Sequence, residues 1–171
     1  MGDRPVFAVS IISYEFNEDD ALLSLRNVLG NIPVWCFSTS VPLTVNGEKP
    51  RTVVVALFSG GGFNVSTDPI PKEWSDAGWE SWFARTIDGI TQPQGLLLAG
   101  DYENANLSSI CDALSEFQAP VAGCMSPSLT DKKGSFVQGE NQSETRHGST
   151  VILDGVFRMG VGIGHGWKDV G

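Results

Sequence analysis

By type, Cys124 is the residue best suited to covalent chemistry, since a thiolate attacks carbonyl carbon once a nearby base has taken its proton. The chain has two histidines to serve as that base, His147 and His165. Their spacing from Cys124 fixes no geometry, and no third residue stands at a spacing that would orient them. The expectation is therefore a non-enzymatic protein, with a Cys124 enzyme as the alternative. A zinc site lacks ligands: Cys36, Cys111, Cys124 and the two histidines include no C-x-x-C pair. No metal is expected unless His165 holds haem.

Two further constellations suit non-covalent binding. "PVWCFSTS" (33–40) and "PVAGCMSPS" (120–128) each read as a strand running into small and hydroxylated residues. Ser38, Thr39, Gly123, Ser126 and Ser128 then offer backbone amides and hydroxyls to a carboxylate or amide, at the strand end where open α/β sheets bind ligands. The structural alternative is turn chemistry, with Ser and Thr capping their own backbone. In "MGVGIGHGW" (159–167), glycine at every second position strips one face of a strand and invites close approach by a ligand or another backbone. His165 is a metal or haem ligand, a polar contact at a pocket mouth beside Trp167, or a histidine hydrogen-bonded near a sheet end.

The elements that must carry these residues are readable from periodicity. "RPVFAVSIIS" is a near-continuous apolar run, as for a strand covered on both faces. "FNEDDALLSLRNVLGN" shifts to helical spacing, with Asn17 as N-cap, Leu22, Leu25 and Leu29 on one face and Gly30 as stop. "VWCFSTS" and "RTVVVALFS" are strands. The order then returns: strand "GLLLAG", helix "NANLSSICDALSEFQ", strand "APVAGCMS", and a pair "STVILDG" and "FRMGVGI" read as a hairpin. Phe157, Met159, Val161 and Ile163 form the core face of its second arm. Pro33-Val34 match Pro120-Val121, Leu22, Leu25 and Leu29 match Leu107, Ile110 and Leu114, and Thr52-Val53 match Thr150-Val151.

The expectation is a mixed-sheet α/β sandwich of two duplicated β-α-β-β-β units within one domain, 1–171. The first unit spans 1–67 and the second 93–171. Between them, 68–92 holds a connecting helix whose Trp79, Trp82, Phe83 and Ile87 pack over a sheet.

Composition narrows the partners. Of 171 residues, 41% are hydrophobic and 18% charged, which is enough for one large core and points to apolar surface covered from outside the chain. The net charge is −9, and only Lys132 and Lys133 stand side by side, so no basic stripe is present for a nucleic-acid backbone. No apolar run reaches the roughly 18 residues of a membrane span. An odd number of cysteines, all in apolar stretches, reads as buried thiols of a reducing compartment, and the expected location is cytoplasmic.

Together these segments resemble the N-terminal half of a FIST domain. The resemblance rests on segment order and on three local matches. "PVWCFSTS" stands where the family has a Gly-Cys-Ser-Thr-like strand end. "GLLLAGDYENANLSSICDALSEFQAPVAGCMSPS" resembles its strand, helix and Gly-Gly-like turn, and "GVGIGHGWKDVG" its closing Gly-Trp segment. Trp35 departs from the family's glycine before Cys36, and "VPL" from its Ala-Gly-Glu-like continuation. The resemblance implies an intracellular sensory or signal-transduction domain that binds a small, amino-acid-like ligand, held near Gly123, Cys124 and Ser126, with Ser38 and Thr39 as a second set and His165 and Trp167 at the rim. It also implies two alternatives: an interaction module of an F-box-type ubiquitin-ligase adaptor, and a haem-binding nitric-oxide sensor through His165. In the family the Gly-Trp segment leads into a C-terminal part, so the chain end reads as a boundary, and that C-terminal half or a partner protein is expected against it.

Overall fold

The computed structural model describes residues 4–39, 42–60, 63–69, 76–90, 92–101, 107–126, 137–139, 142–144 and 148–162. The first β-α-β passage is built as the sequence dictates. Strand β1 (Pro5–Ser13) leads into α1 (Glu18–Leu29), which opens on Asn17, whose side chain accepts from the Asp20 amide at 3.1 Å. It closes at Gly30, whose φ of 70° suits glycine and whose N–H returns to Arg26. The chain then enters β2 (Val34–Thr39), parallel to β1. A short hairpin, β3 (Leu43–Thr44) and β4 (Gly47–Glu48), precedes β5 (Val53–Ser59), which pairs antiparallel with β1. The first sheet is ordered β2-β1-β5.

At Gly60 (φ 149°) the chain leaves that sheet, and β6 (Phe63–Pro69) belongs to the second. Helix α2 (Asp76–Ile87) follows, then β7 (Pro93–Asp101), α3 (Leu107–Leu114) and β8 (Val121–Ser126), with β7 and β8 parallel. The long segment before the last strand holds a small hairpin, β9 (Val137–Gly139) with β10 (Gln142–Glu144). Strand β11 (Gly148–Gly155) completes the order β6-β11-β7-β8. The expected hairpin between "STVILDG" and "FRMGVGI" does not form, because both edges of β11 are already taken, by β6 and β7. Instead the chain turns at Gly155 (φ 135°), and Phe157 and Met159 pack between the sheets, while Val161 is exposed.

The core has three strata. Ala8, Ile12, Val34 and Cys36 meet Leu22, Leu25 and Leu29 of α1 on the outer face of the first sheet. Phe7 and Trp35 meet Ala99, Val151 and Leu153 between the sheets. Leu96, Leu98 and Ile152 meet Phe83 of α2 and Ile110 of α3 on the outer face of the second. Each large aliphatic or aromatic side chain so buried contributes roughly 1.5–3 kcal/mol of transfer free energy. The result is a mixed α/β sandwich, helix layer to helix layer through two sheets.

β1-α1-β2 with β5 repeats the connectivity and strand directions of β7-α3-β8 with β11. The correspondence has an atomic anchor: Ala8 donates its N–H to Pro33 at 3.0 Å and Leu96 donates to Pro120 at 2.9 Å, each bond opening a parallel pair. Counted from that anchor, the registers set Val55 with Thr150 and Leu57 with Ile152, a shift from the pairing of Thr52 with Thr150 that sequence similarity suggests.

Candidate ligand site

Alternation along a strand decides which stratum each candidate faces. On β2, Val34 and Cys36 face α1, so Ser38 does too, and it is buried at 1% exposure. Thr39 lies on the opposite face with Trp35 and Phe37, half-buried. On β8, Val121 packs under the helices of the second sheet and Gly123 shares that face, whereas Cys124 faces the other sheet. Ser38 and Gly123 therefore belong to opposite outer strata, and Thr39 and Cys124 to the middle one. Ser126 closes β8 in register with Asp101. His147, His165 and Trp167 lie outside the described residues, as does Ser128.

The thiols do not follow a single pattern. Cys36 is fully buried, but Cys111 and Cys124 are exposed, which corrects the expectation of three buried thiols. On α3 the buried face centres on Ile110, and Cys111, one residue on, is turned about 100° away from it. Cys124 is reached by solvent on an edge strand, yet the protein around it withdraws hydration and pushes its thiol pKa up. That direction favours the neutral thiol, the reverse of what a nucleophile requires. Among the described residues no group of three or more Cys, His, Asp or Glu is arranged to hold a metal ion.

Gly123 is there for close approach. A Cβ at this position would run into the backbone carbonyl oxygen of Leu98 on the neighbouring strand. It is space, not backbone conformation, that selects glycine here.

The carboxyl ends of β1 and β2 carry a feature that sequence reasoning missed. Ser13 pairs with Thr39 in the parallel register, so two hydroxyl residues share the middle-stratum face. Ser13 is completely buried. Its N–H is used by Thr52 and its carbonyl by Phe16, at 3.1 and 3.0 Å, while its hydroxyl has no partner among the described residues. A buried hydroxyl without a bond costs on the order of 1–3 kcal/mol, so such an atom marks a place where something polar is wanted. Ser10 is the same case on the α1 face, between Cys36 and Val55. The available signal was the serines themselves, the two polar residues of "PVFAVSIIS".

Tyr14 continues from Ser13, buried, its N–H bonded to the Thr39 carbonyl at 2.9 Å, and the chain then enters α1 through Asn17. The corner thus combines two hydroxyl residues with the start of an α-helix. A β-α-β corner of this kind, at the carboxyl ends of neighbouring parallel strands, is the place where open α/β sheets commonly bind ligands. The family model for the FIST N domain matches residues 6–171, and the chain belongs to that family, a family of sensory domains in signal transduction. Comparison with curated proteins finds no match. Among the described residues no helix is long and apolar enough to cross a membrane.

Proposed function

We propose that this domain is the sensing element of a signal-transduction protein and binds a small, polar, amino-acid-like ligand. The observation that carries the reading is Ser13: a buried hydroxyl with no partner among the described residues, beside Thr39 at the carboxyl end of the β1–β2 pair. A ligand carboxylate would accept from the Ser13 and Thr39 hydroxyls. Gly123, Cys124 and Ser126 form the second candidate position on the equivalent strand β8, with His165 and Trp167 as candidate rim residues and Ser38 supporting the first position from behind. Haem bound through His165 remains the competing ligand class.

The test is a thermal-shift screen of the purified domain with amino acids, small carboxylates and haem, followed by calorimetry on hits. A ligand at a hundredfold excess over its Kd should add roughly 2.7 kcal/mol of stability. A hit lost in Ser13→Ala and retained in Cys124→Ala supports the first position. The reverse moves the ligand to β8, a haem-only response replaces the amino-acid reading, and no response from folded protein rejects ligand sensing.

A further inference from the structure

Leu57 on β5 and Ile152 on β11 hold the same place in their two sheets, Leu57 opposite Ala8 and Ile152 opposite Leu96. Their surroundings are opposite. Ile152 is 1% exposed, sealed under Phe83 of α2, whereas Leu57 is 54% exposed. The next rung repeats the contrast, with Thr150 at 1% and Val55 at 38%. Helix α1 stands on the first sheet as α3 stands on the second. Among the described residues, nothing stands on the first sheet where α2 stands on the second.

The vacant place is a groove of about 620 Å³, floored by Val53, Val55 and Leu57 and walled by Ala21, Leu25 and Val28 of α1. It is continuous with the core beneath, since Ala21, Leu25 and Val53 also pack against the buried cluster of the first sheet. Asn17, Asp20 and Ser24 form its polar rim, and among the described residues no basic one lines it. We infer that the groove between α1 and β5 seats an amphipathic helix of another protein domain, laid beside α1 as α2 lies beside α3, with its apolar stripe on Val55 and Leu57 and a basic residue toward Asp20.

The filled counterpart defines what fits. Phe83 of α2 drops into the second sheet, meets Phe117 edge-on at 5.5 Å, and α2 packs along α3. A second copy of this chain is a poorer occupant. Its three described helices are already seated, and a copy laid across the groove would offer Asp20 no basic partner from the matching rim. The inference is independent of the ligand position at Ser13, which faces the other side of the first sheet.

The experiment titrates the ¹⁵N-labelled domain with two synthetic 18-residue helix-forming peptides that share a Leu/Phe stripe and differ in flanks, Lys in one and Glu in the other. Saturable amide shifts at Val28, Val55 and Leu57, with the Lys-flanked peptide about tenfold tighter, are expected. Leu57→Asp should abolish them. Val28→Asp, on a side chain 83% exposed and so safe for folding, should weaken them with an unchanged circular-dichroism spectrum. Ser13→Ala should leave them intact. Absence of saturable binding, shifts confined elsewhere, equal affinity for both peptides, or a dimer that Leu57→Asp dissociates would each overturn the inference.

Discussion

Trp35 donates its indole N–H to the hydroxyl of Ser149 at 2.5 Å, across 114 residues of sequence and between the two sheets. Both side chains are buried, so this bond fixes how the sheets lie on each other where hydrophobic contact alone would tolerate sliding. Ser149 pairs with Ala99, and Ala99 with Cys124, which puts the indole on the same rung as the Cys124 strand.

Ser149→Ala leaves the indole N–H buried without an acceptor and should cost about 1–3 kcal/mol in urea denaturation. Adding Trp35→Phe removes the orphaned donor, so the double variant should lose less than the sum of the singles. Strict additivity would show that the bond does not couple the sheets.

Ser10→Ala and Ser13→Ala should each hold or raise stability, by about 1 kcal/mol, because each removes a buried hydroxyl that has no partner among the described residues. Only Ser13→Ala should also abolish ligand-induced stabilisation. A pronounced loss of Tm in either variant would mean that the hydroxyl is bonded after all.

The two tightly packed glycines should respond differently to alanine. At Gly123 the new methyl meets the Leu98 backbone, which cannot yield without disturbing the parallel ladder, and a loss of about 1–3 kcal/mol is expected. At Gly95 it meets the flexible end of Met159, which can turn aside, so the loss should be smaller. Denaturation curves of the two variants decide the order.

Because burial raises the Cys124 pKa, its alkylation by iodoacetamide should rise with a midpoint above that of an ordinary thiol, about 8.5. The linked stability has a definite sign. The folded state holds the proton more tightly, so this contribution is intact below the unfolded thiol's pKa and is lost as pH rises through the higher folded value. A rate midpoint at or below the ordinary value would revive Cys124 as a nucleophile.

Sequence and structure agree where local rules decide. Asn17 and Gly30 mark the ends of α1 because capping is a contest among near neighbours, and the prolines at 33 and 120 mark equivalent strand entries. The departure of β6 to the second sheet was not legible. Its partner is eighty residues away, from Pro69 to Ser149, and nothing in its alternation names that partner. The same blindness made "FRMGVGI" look like the second arm of a hairpin, when β11 had no free edge to offer it. Ser38 and Thr39 do close β2, whereas Gly123 and Cys124 sit in the middle of β8, and which face each presents depends on a pleat whose phase only the packed core reveals. Ser13 was overlooked because serine inside an apolar run carries no signal until its hydroxyl proves to be unpaired.

The turn at Gly60 has a consequence for how the protein is made. Strand β6 emerges from the ribosome long before β11, the strand it must pair with, and β11 is in turn the strand that joins β6 to β7. The nascent first half can assemble β1, α1, β2 and β5, but β6 must wait, unpaired, until residue 155 has been synthesised. A nonsense mutation or a proteolytic cut before β11 therefore does not yield half a working domain. It yields a chain with a bare strand edge, the kind of product that chaperones retain and proteases remove.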